Sequence, residues 1–416
     1  MIIDFSVENF RSIKEMQTLS MSAANIVSKY KEVDEQNLVK VSDKLSLLKT
    51  KAIYGANASG KSNIIKAMAS FIEIVNNSVK NDKILEKQIV YFRLSTETED
   101  KPTYFQLSFQ LNNTLYRYGF EANKKEITSE WLFGIPGKKE VPFFTREGND
   151  IKVNESQFKE GNKIIELYSG NGENDIARNN ALFLTIVKSF TNGIAKEVVD
   201  YISKIIVVSG LSDYSLYSKG EEFLSDENKT QMGKFMQISD VGINTIRRHE
   251  QKSKNSEGAD NYFILTTHNK FDSNLNQVGL VDFFMLLDES EGTQKMFGIS
   301  PMILQALNEN SPLIIDEFDA RFHPLLTKKI VELFNSDSNK GSQLIFATHD
   351  TNLLNAKLLR RDQICFVEKD KYGASHFYTL AEFKGVRNDA SFEKDYIEGR
   401  YGAIPFLGDF NSVIDG

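Results

Sequence analysis

Residues 52–68 read AIYGANASGKSNIIKAM, and this glycine-containing sequence is diagnostic of the fold class. Its residues 55–62 match the pattern GxxxxGK[ST] at every fixed position. The apolar run LSLLKTKAIYG leading into them is typical of a buried strand, and the residues after them carry apolar side chains at helical spacing. Two glycines let the backbone wrap so that successive N–H groups and the positive end of a helix face an anion. The stretch therefore predicts a phosphate-binding loop between a strand and a helix.

This loop carries the residue types that hold a nucleoside triphosphate. Lys61 is expected to reach the β and γ phosphates, and Ser62 offers a hydroxyl to Mg²⁺. An ordinary glycine-rich turn is the alternative, but the complete motif in its strand–loop–helix context argues against it. ATP and Mg²⁺ are thus the expected ligands. The residues predicted to hold the nucleotide in this loop are Gly55, Asn57, Ser59, Gly60, Lys61, Ser62 and Asn63.

A second strand pattern ends in two acidic residues. In SPLIIDE, residues 311–317, Asp316 follows an apolar run, where its carboxylate is expected to hold the metal through water or through Ser62. Glu317 is then placed to take a proton from the attacking water. Acidic pairs after strands also cap turns. The presence of a phosphate loop in the same chain favours the catalytic interpretation.

A histidine follows a third apolar strand pattern. His349 comes directly after LIFAT, residues 344–348, where a neutral imidazole can bind the γ-phosphate and sense its loss. A single histidine at a strand end is more often structural. The order of phosphate loop, acidic pair and strand with histidine favours a functional role, so Glu317 and His349 are the predicted catalytic residues.

Composition bounds the class of protein. The chain has 416 residues, of which 41% are hydrophobic, and this is ample for a globular core. No run reaches the roughly 18 apolar residues that a membrane span needs, and the N-terminus lacks the pattern of a secretion signal, so we expect a cytoplasmic protein without membrane contact. Cys365 is the single cysteine and lies in the apolar run QICFVEK, which favours a buried thiol.

Charge weighs against nucleic acid as the main partner. The formal net charge of −7 is opposite to that of a surface coated for nucleic acid. The basic patch IRRHEQKSK, residues 246–254, keeps a local nucleic-acid contact open.

The chain is predicted to be an α/β protein in three regions. Residues 1–174 carry the phosphate loop and, from about residue 90, short alternating runs typical of an antiparallel β lobe. Residues 175–255 are predicted to be a mainly helical insertion, in which ARNNALFLTIVKSFTNGIAKEVVDYISKIIVV and DENKTQMGKFMQISDVGINTIRRHEQKSKN are interpreted as helical with polar breaks. Residues 256–416 carry the acidic strand, the histidine and a basic and aromatic tail. Strand–helix units at both ends predict one parallel sheet, and sustained heptads of a long coiled coil are missing.

The order of these motifs, with ESEGTQKMF just before the acidic strand, resembles the ABC-type ATPases of the SMC and RecF class. Within that class the chain resembles compact bacterial AAA ATPases of anti-phage abortive-infection systems, such as the PARIS- and Septu-like systems. The resemblance covers roughly residues 1–75 and 275–410. It implies a P-loop ATPase head with a parallel core sheet and an antiparallel lobe. ENFRSI resembles the N-terminal strand motif of the family, which implies that Arg11 and Ser12 approach the nucleotide.

The resemblance also assigns a signature loop. Ser290, Gly292 and Thr293 stand in the slot of the family's LSGGQ motif, although SEGT departs from the transporter form. A serine and a glycine at a helix N-terminus make an anion site, and because the P-loop fills its own side of one triphosphate, this site would serve a second ATP. A simple helix cap is the alternative. In the family, the signature of one subunit closes over the nucleotide of the other, which implies a two-fold homodimer. Asp319 resembles the family's D-loop or caps a helix, and Gln88 is a weak candidate for its Q-loop glutamine.

The function implied by the resemblance is a slow regulatory ATPase. Its homodimer, or a higher assembly of dimers, would hold or release a separately encoded toxic effector in response to a phage-encoded trigger. A RecF-like DNA-binding repair ATPase is the alternative, and it predicts duplex affinity that falls steeply with salt. A transporter subunit fits poorly, because of the divergent signature and the ENFRSI motif.

The C-terminal tail VRNDASFEKDYIEGRYGAIPFLGDF mixes basic and aromatic residues, which can grip nucleic acid or a protein partner. A solvated amphipathic helix is the other interpretation. The residues in question are Arg387, Lys394, Tyr396, Arg400 and Tyr401.

Overall fold

The computed structural model describes residues 1–169, 178–224, 229–239, 242–251, 261–386, 391–405 and 408. Its strands are β1 (Ile2–Glu8), β2 (Gln17–Ser20), β3 (Leu38–Lys40), β4 (Ser46–Leu48), β5 (Thr50–Tyr54), β6 (Thr103–Leu111), β7 (Thr114–Ala122), β8 (Ile127–Ile135), β9 (Val141–Glu147), β10 (Asp150–Val153), β11 (Ile206–Ser209), β12 (Thr245–Gln251), β13 (Asn261–Phe271), β14 (Gln277–Phe284), β15 (Leu313–Asp316), β16 (Leu344–Ala347), β17 (Ile364–Lys369) and β18 (Ser375–Thr379). Its helices are α1 (Lys31–Gln36), α2 (Lys61–Asn77), α3 (Ile84–Gln88), α4 (Lys159–Ser169), α5 (Phe183–Phe190), α6 (Ile194–Ser203), α7 (Asp213–Leu224), α8 (Lys229–Ile238), α9 (Glu291–Glu309), α10 (Pro324–Asn335) and α11 (Phe392–Ile397).

A six-stranded sheet forms the core, in the order β11-β15-β16-β5-β17-β18. All neighbours in it are parallel except β17 and β18, which form an antiparallel hairpin. Every residue of β5, β15 and β16 is buried, as expected for parallel strands covered on both faces. The carboxyl ends of parallel strands meet at one edge of a sheet. The three predicted motifs follow β5, β15 and β16, so this sheet brings them together.

A second sheet of seven antiparallel strands has the order β10-β9-β8-β7-β6-β1-β2. Strand β6 alternates buried and half-buried residues along its first eight positions, because one of its faces packs on the core. Helix α2 lies against that face. The ring of Phe71 in α2 stacks on Phe120 with centroids 5.6 Å apart and meets the edge of Phe5 at 5.8 Å. The predicted α/β class, with a parallel core sheet and an antiparallel lobe, is confirmed.

The segment predicted as a helical insertion also contains strands. Residues 206–208, interpreted as helical from the sequence, belong to β11, whose residues Ile206–Ser209 pair in parallel with Leu313–Asp316. That part of the helix prediction is wrong, because the β-branched run of Ile205, Ile206, Val207 and Val208 fits a pleated sheet better than a helix. Residues 245–251, also interpreted as helical, form strand β12, which pairs antiparallel with β13. That part of the helix prediction is wrong as well. The predicted boundaries at 174/175 and 255/256 lie outside the described residues.

The remaining elements flank the core sheet. Strands β12, β13 and β14 form an antiparallel sheet that leads into α9, and at 19 residues α9 is the longest helix in the described part of the chain. Helix α9 packs on α7, α8 and β15. None of the helices described combines the length and apolarity that a membrane span requires.

Candidate functional site

The turn between β5 and α2 needs both of its glycines. Gly60 has a φ of +113°, and a Cβ added there would lie 2.1 Å from Ser375 Oγ. A Cβ on Gly55 would lie 2.5 Å from the carbonyl oxygen of Val367. Helix α2 begins at Lys61 without a side-chain cap on its first N–H groups. No side chain therefore competes with an anion for the positive end of this helix, as the motif predicts.

Lys61 lies folded over the turn. Its Nζ donates to the carbonyl oxygens of Gly55 at 2.8 Å and Ala56 at 3.2 Å. Burial lowers the pKa of Lys61 from its ordinary value, and the nearby carboxylates of Glu317, Asp316 and Asp319 oppose this shift. Lys61, which follows β5, and the acidic residues that follow β15 are thus close enough to interact electrostatically.

The predicted metal ligands lie together. Ser62 Oγ donates to Asp316 Oδ1 at 3.1 Å, across 254 residues of sequence. The buried hydroxyl of Ser59, inside the turn, has no hydrogen-bond partner among the described residues. A hydroxyl–carboxylate pair suits Mg²⁺, and the glycine turn, the uncapped helix end and the unpaired hydroxyl suit a phosphate. The residues present therefore fit ATP held by the loop and Mg²⁺ held by Ser62 and Asp316.

Glu317 occupies a strained backbone position. Its φ is +50°, in the left-handed region that non-glycine residues rarely adopt. Its N–H donates to Asp316 Oδ1 at 3.2 Å, and the residue is half-buried. Strained residues of this kind are concentrated at functional sites. The position agrees with the predicted catalytic role of Glu317, and the role itself stays a prediction.

Asp319 links the acidic loop to the histidine loop. Its Oδ1 accepts hydrogen bonds from Thr348 Oγ1 at 2.6 Å and from the backbone N–H of His349 at 3.1 Å. The helix-cap alternative for Asp319 is wrong, because His323 caps α10 by accepting from the N–H of Leu325. The ring of His349 is exposed beside this bond network, free to meet a group that arrives from solvent.

The N-terminal motif reaches the loop through Ser12. Asn63 Nδ2 donates to Ser12 Oγ at 2.7 Å, so these two predicted residues meet. Arg11 is exposed, with a φ of +53° and its guanidinium 5.6 Å from the ring centroid of Phe10. Asn57 is exposed in the turn. Arg11 and Asn57 make no described hydrogen bond through their side chains to the turn, and their nucleotide contacts stay predictions.

The signature residues lie at the N-terminus of α9. Ser290 is exposed and caps the helix, because its Oγ accepts from the N–H of Thr293 at 3.1 Å. A Cβ on Gly292 would lie 3.0 Å from the carbonyl oxygen of Arg321, in the loop after the acidic pair. None of the described hydrogen bonds joins Ser290, Gly292 or Thr293 to the P-loop of the same chain. The helix-cap interpretation is thus correct for Ser290, and it leaves open a second role toward another molecule.

Lys295 was missed by the sequence reasoning. It is 3% exposed, and its Nζ donates to the carbonyl oxygens of Glu317, Phe318 and Ala320. These bonds fix the signature helix to the loop that carries the predicted base. A lysine among the buried positions of α9 is the signal that could have pointed to it, because buried lysines are rare unless paired.

A cleft of about 990 Å³ opens beside the signature. It lies between α8, the start of α9 and α10, and Phe235, Leu325 and Ile330 contribute to its apolar lining. Ser290 and Gly292 form part of its wall. The signature residues therefore border an apolar depression rather than a flat surface.

The tail does not present its aromatic residues to solvent. Tyr396 stacks on Phe366 with centroids 5.4 Å apart, and Tyr401 stacks on the same ring at 5.8 Å. Both tyrosines are buried, so they stabilise the core and cannot grip a strand of nucleic acid. Lys394 and Arg400 form ion pairs on the exposed side of α11, which supports the amphipathic-helix alternative. Arg387 lies outside the described residues.

Two further predictions concern single residues. Ser70 Oγ donates to Gln88 Oε1 at 2.9 Å, so Gln88 bonds to the middle of α2 and not to Ser62 or Asp316. Its assignment to the Q-loop gains no support. Cys365 is buried as predicted, and burial raises the pKa of its thiol to about 11.

Solved structures similar to this chain include SMC head domains. The SMC head domain from Thermotoga maritima has 14% sequence identity and a TM-score of 0.41, covering 91% of this chain and 98% of its own. The Smc head domain with an extended coiled coil bound to the C-terminal domain of ScpA, derived from Pyrococcus furiosus, also has 14% identity, with a TM-score of 0.42 and coverage of 96% and 98%. No curated protein matches the chain significantly.

A family model gives the assignment. Residues 52–355, from the last strand before the phosphate loop to just past His349, match the AAA domain described as putative AbiEii toxin, Type IV TA system. The match spans well over half of the chain and contains the P-loop, the acidic pair and the predicted signature residues. It agrees with the site geometry, in which the P-loop and the acidic pair meet at one sheet edge. The chain belongs to this AAA domain family of P-loop ATPases.

Proposed function

We propose that this chain is a regulatory ATPase whose ATP-bound heads pair about a two-fold axis, and that this pairing controls a separately encoded toxic effector. In each pair, Ser290 of one protomer completes the nucleotide site of the other. The observation that carries the proposal is the bonding of Lys295. Its Nζ donates to the carbonyl oxygens of Glu317 and Phe318, so the exposed signature and the predicted catalytic loop are fixed to each other. A partner's nucleotide that binds the signature therefore acts on the hydrolytic loop directly.

The surface around the signature supports a macromolecular partner. Leu286 and Leu287, just before the signature, are 53% and 81% exposed, and Leu325 beside the cleft is 67% exposed. Ile238 at the other side of the cleft is 79% exposed. Neighbouring exposed apolar side chains around a concave site are typical of interaction surfaces. Closure of a second head over this face would remove them from water.

The residues of one protomer have different roles at the proposed site. Lys61 and the N–H groups of the turn bind phosphate oxygens, and Ser62 with Asp316 holds the metal, whose charge offsets that of the triphosphate. Glu317 accepts a proton from the attacking water. Asp319 positions the backbone of His349, so that the exposed imidazole faces the nucleotide. Loss of the γ-phosphate removes a bond partner from His349 and from the partner's signature together.

The effector is proposed from the family. Its description as a putative AbiEii toxin in a Type IV TA system links such domains to growth control by paired genes. In our proposal the ATPase state holds or releases the toxic partner, and a phage component is the trigger. The genomic neighbour of this chain is the expected partner.

Growth measurements test this arrangement. We expect co-expression of the chain with its neighbour to arrest growth, and Lys61→Ala or Glu317→Gln to abolish the arrest. Lys152→Ala is the control, because this lysine is 78% exposed on β10 of the antiparallel sheet. Arrest that persists in both site variants contradicts the proposal. Arrest by the chain alone would show that no separate effector is needed.

A further inference from the structure

Ser375 lies buried against the phosphate-binding turn, although it is distant in sequence. It is the first residue of β18 and is 1% exposed. Its Oγ donates to the carbonyl oxygen of Ser59 at 2.6 Å and lies 2.7 Å from Ser12 Oγ. Its backbone N–H donates to the carbonyl oxygen of Ser12 at 2.7 Å. The β17–β18 hairpin thus contacts both the turn and the N-terminal motif.

These bonds have one direction. A serine hydroxyl has one hydrogen to donate, and Ser375 donates its hydrogen to Ser59. Ser12 must therefore donate to Ser375 and accept from Asn63 Nδ2, which lies 2.7 Å from Ser12 Oγ. The result is a chain of hydrogen bonds that begins in the first turn of α2 and ends on the carbonyl oxygen of Ser59. It spans both sides of Gly60.

The end of this chain orients the donors for phosphate. A trans peptide is planar, with its C=O and the following N–H pointing in opposite directions. The bond from Ser375 to the Ser59 carbonyl therefore turns the N–H of Gly60 away from the hairpin. The hairpin packs closely against Gly60, because a Cβ added at that residue would lie 2.9 Å from Ser375 Cβ.

We propose that Ser375 is a positioning residue for the nucleotide loop. It closes the hydrogen-bonded chain of Asn63, Ser12, Ser375 and Ser59, and thereby holds the turn in the shape that binds the phosphates of ATP. This inference rests on the proposed ATPase function. It adds a residue outside the P-loop motif, from a hairpin that follows the histidine loop.

Ser375→Ala tests the role against a matched control. Ser342, which lies just before β16, is also fully buried. Its Oγ donates to the carbonyl oxygen of Ser311 at 2.8 Å. We expect both alanine variants to lower the melting temperature to a similar extent. Only Ser375→Ala should weaken binding of Mg-ATP, because the turn is no longer held in the binding orientation. We expect Kd to rise about tenfold, which corresponds to a loss of about 1.4 kcal/mol of binding free energy. In steady-state hydrolysis its KM should rise while kcat changes less than twofold.

A double-mutant cycle provides the second measurement. Ser12 and Ser375 belong to one chain of hydrogen bonds. The loss of ATP affinity in the double variant Ser12→Ala/Ser375→Ala should therefore be smaller than the sum of the losses in the two single variants. Additive effects, or equal ATP affinity in Ser375→Ala and Ser342→Ala, would overturn the inference while the ATPase function stands. Failure of the unaltered chain to bind Mg-ATP would overturn the proposed function and this inference with it.

Discussion

Gly60→Ala is the substitution that the structure predicts to damage the site most sharply. With φ at +113°, alanine pays the penalty of about 1–2 kcal/mol for left-handed backbone. The added Cβ would also lie 2.1 Å from Ser375 Oγ, where ordinary contact begins at 3.4 Å, so the two groups must separate by about 1.3 Å. Overpacking of this kind costs a further 1–3 kcal/mol or so. A displacement near 1 Å in a binding loop reduces kcat/KM by about a hundredfold.

Gly385→Ala separates the two contributions. Gly385 has a φ of +82°, but a Cβ there meets no atom within 4 Å. We expect this control to lose only about 1–2 kcal/mol of unfolding free energy in urea titrations and to keep its ATPase activity. Gly60→Ala should lose about 2–5 kcal/mol in the same assay, as the sum of the backbone and contact costs. Equal stability and equal kcat/KM in the two variants would mean that the contact between residue 60 and Ser375 has no effect, contrary to this prediction.

Three other predictions concern single side chains. Glu130 and Arg146 form a fully buried ion pair, so Glu130→Gln should lower the free energy of unfolding in urea by about 3 kcal/mol or more, and an unchanged midpoint would contradict the importance of the pair. The pKa of Cys365 is raised from 9.0 to about 11, so the folded chain keeps a proton that the unfolded chain releases, and stability should fall by about 3 kcal/mol as pH rises through this window. Cys365→Ala should not show this decrease in stability. Identical profiles of stability against pH for Cys365→Ala and the unaltered chain would contradict the prediction. Ser62→Ala removes the hydroxyl bonded to Asp316, so ATP binding measured by calorimetry should lose most of its dependence on Mg²⁺.

The phosphate loop and the acidic pair could be predicted from the sequence because each is a local motif with a strand on one side. Once both strands are assigned to one parallel sheet, the meeting of Ser62 and Asp316 follows from the topology. The histidine loop was found for the same reason. Its bond to Asp319 confirms that the two loops are neighbours.

Other features depend on contacts that no local pattern records. Ser375 meets Ser12 across 363 residues, in a stretch without any motif. Strand β11 is short and lies at the edge of the core sheet, directly after two helices. The predicted helix therefore continued past the end of α6 and into this strand. The burial of Tyr396 depends on its contact with Phe366, which is distant in sequence. The sequence alone therefore leaves this tyrosine open to a role in nucleic-acid binding. In these cases the tertiary contacts decide what the sequence leaves open.

Complementation between two inactive variants tests the composite site most directly. In a two-fold pair of Lys61→Ala with Ser290→Arg, one site combines both defects, and the other combines an intact P-loop with an intact signature. An equal mixture places half of the chains in such mixed pairs, each with one working site of two. We expect the mixture to hydrolyse ATP at about one quarter of the unaltered rate, while each variant alone is inactive. No activity in the mixture, or full activity of Ser290→Arg alone, would contradict it.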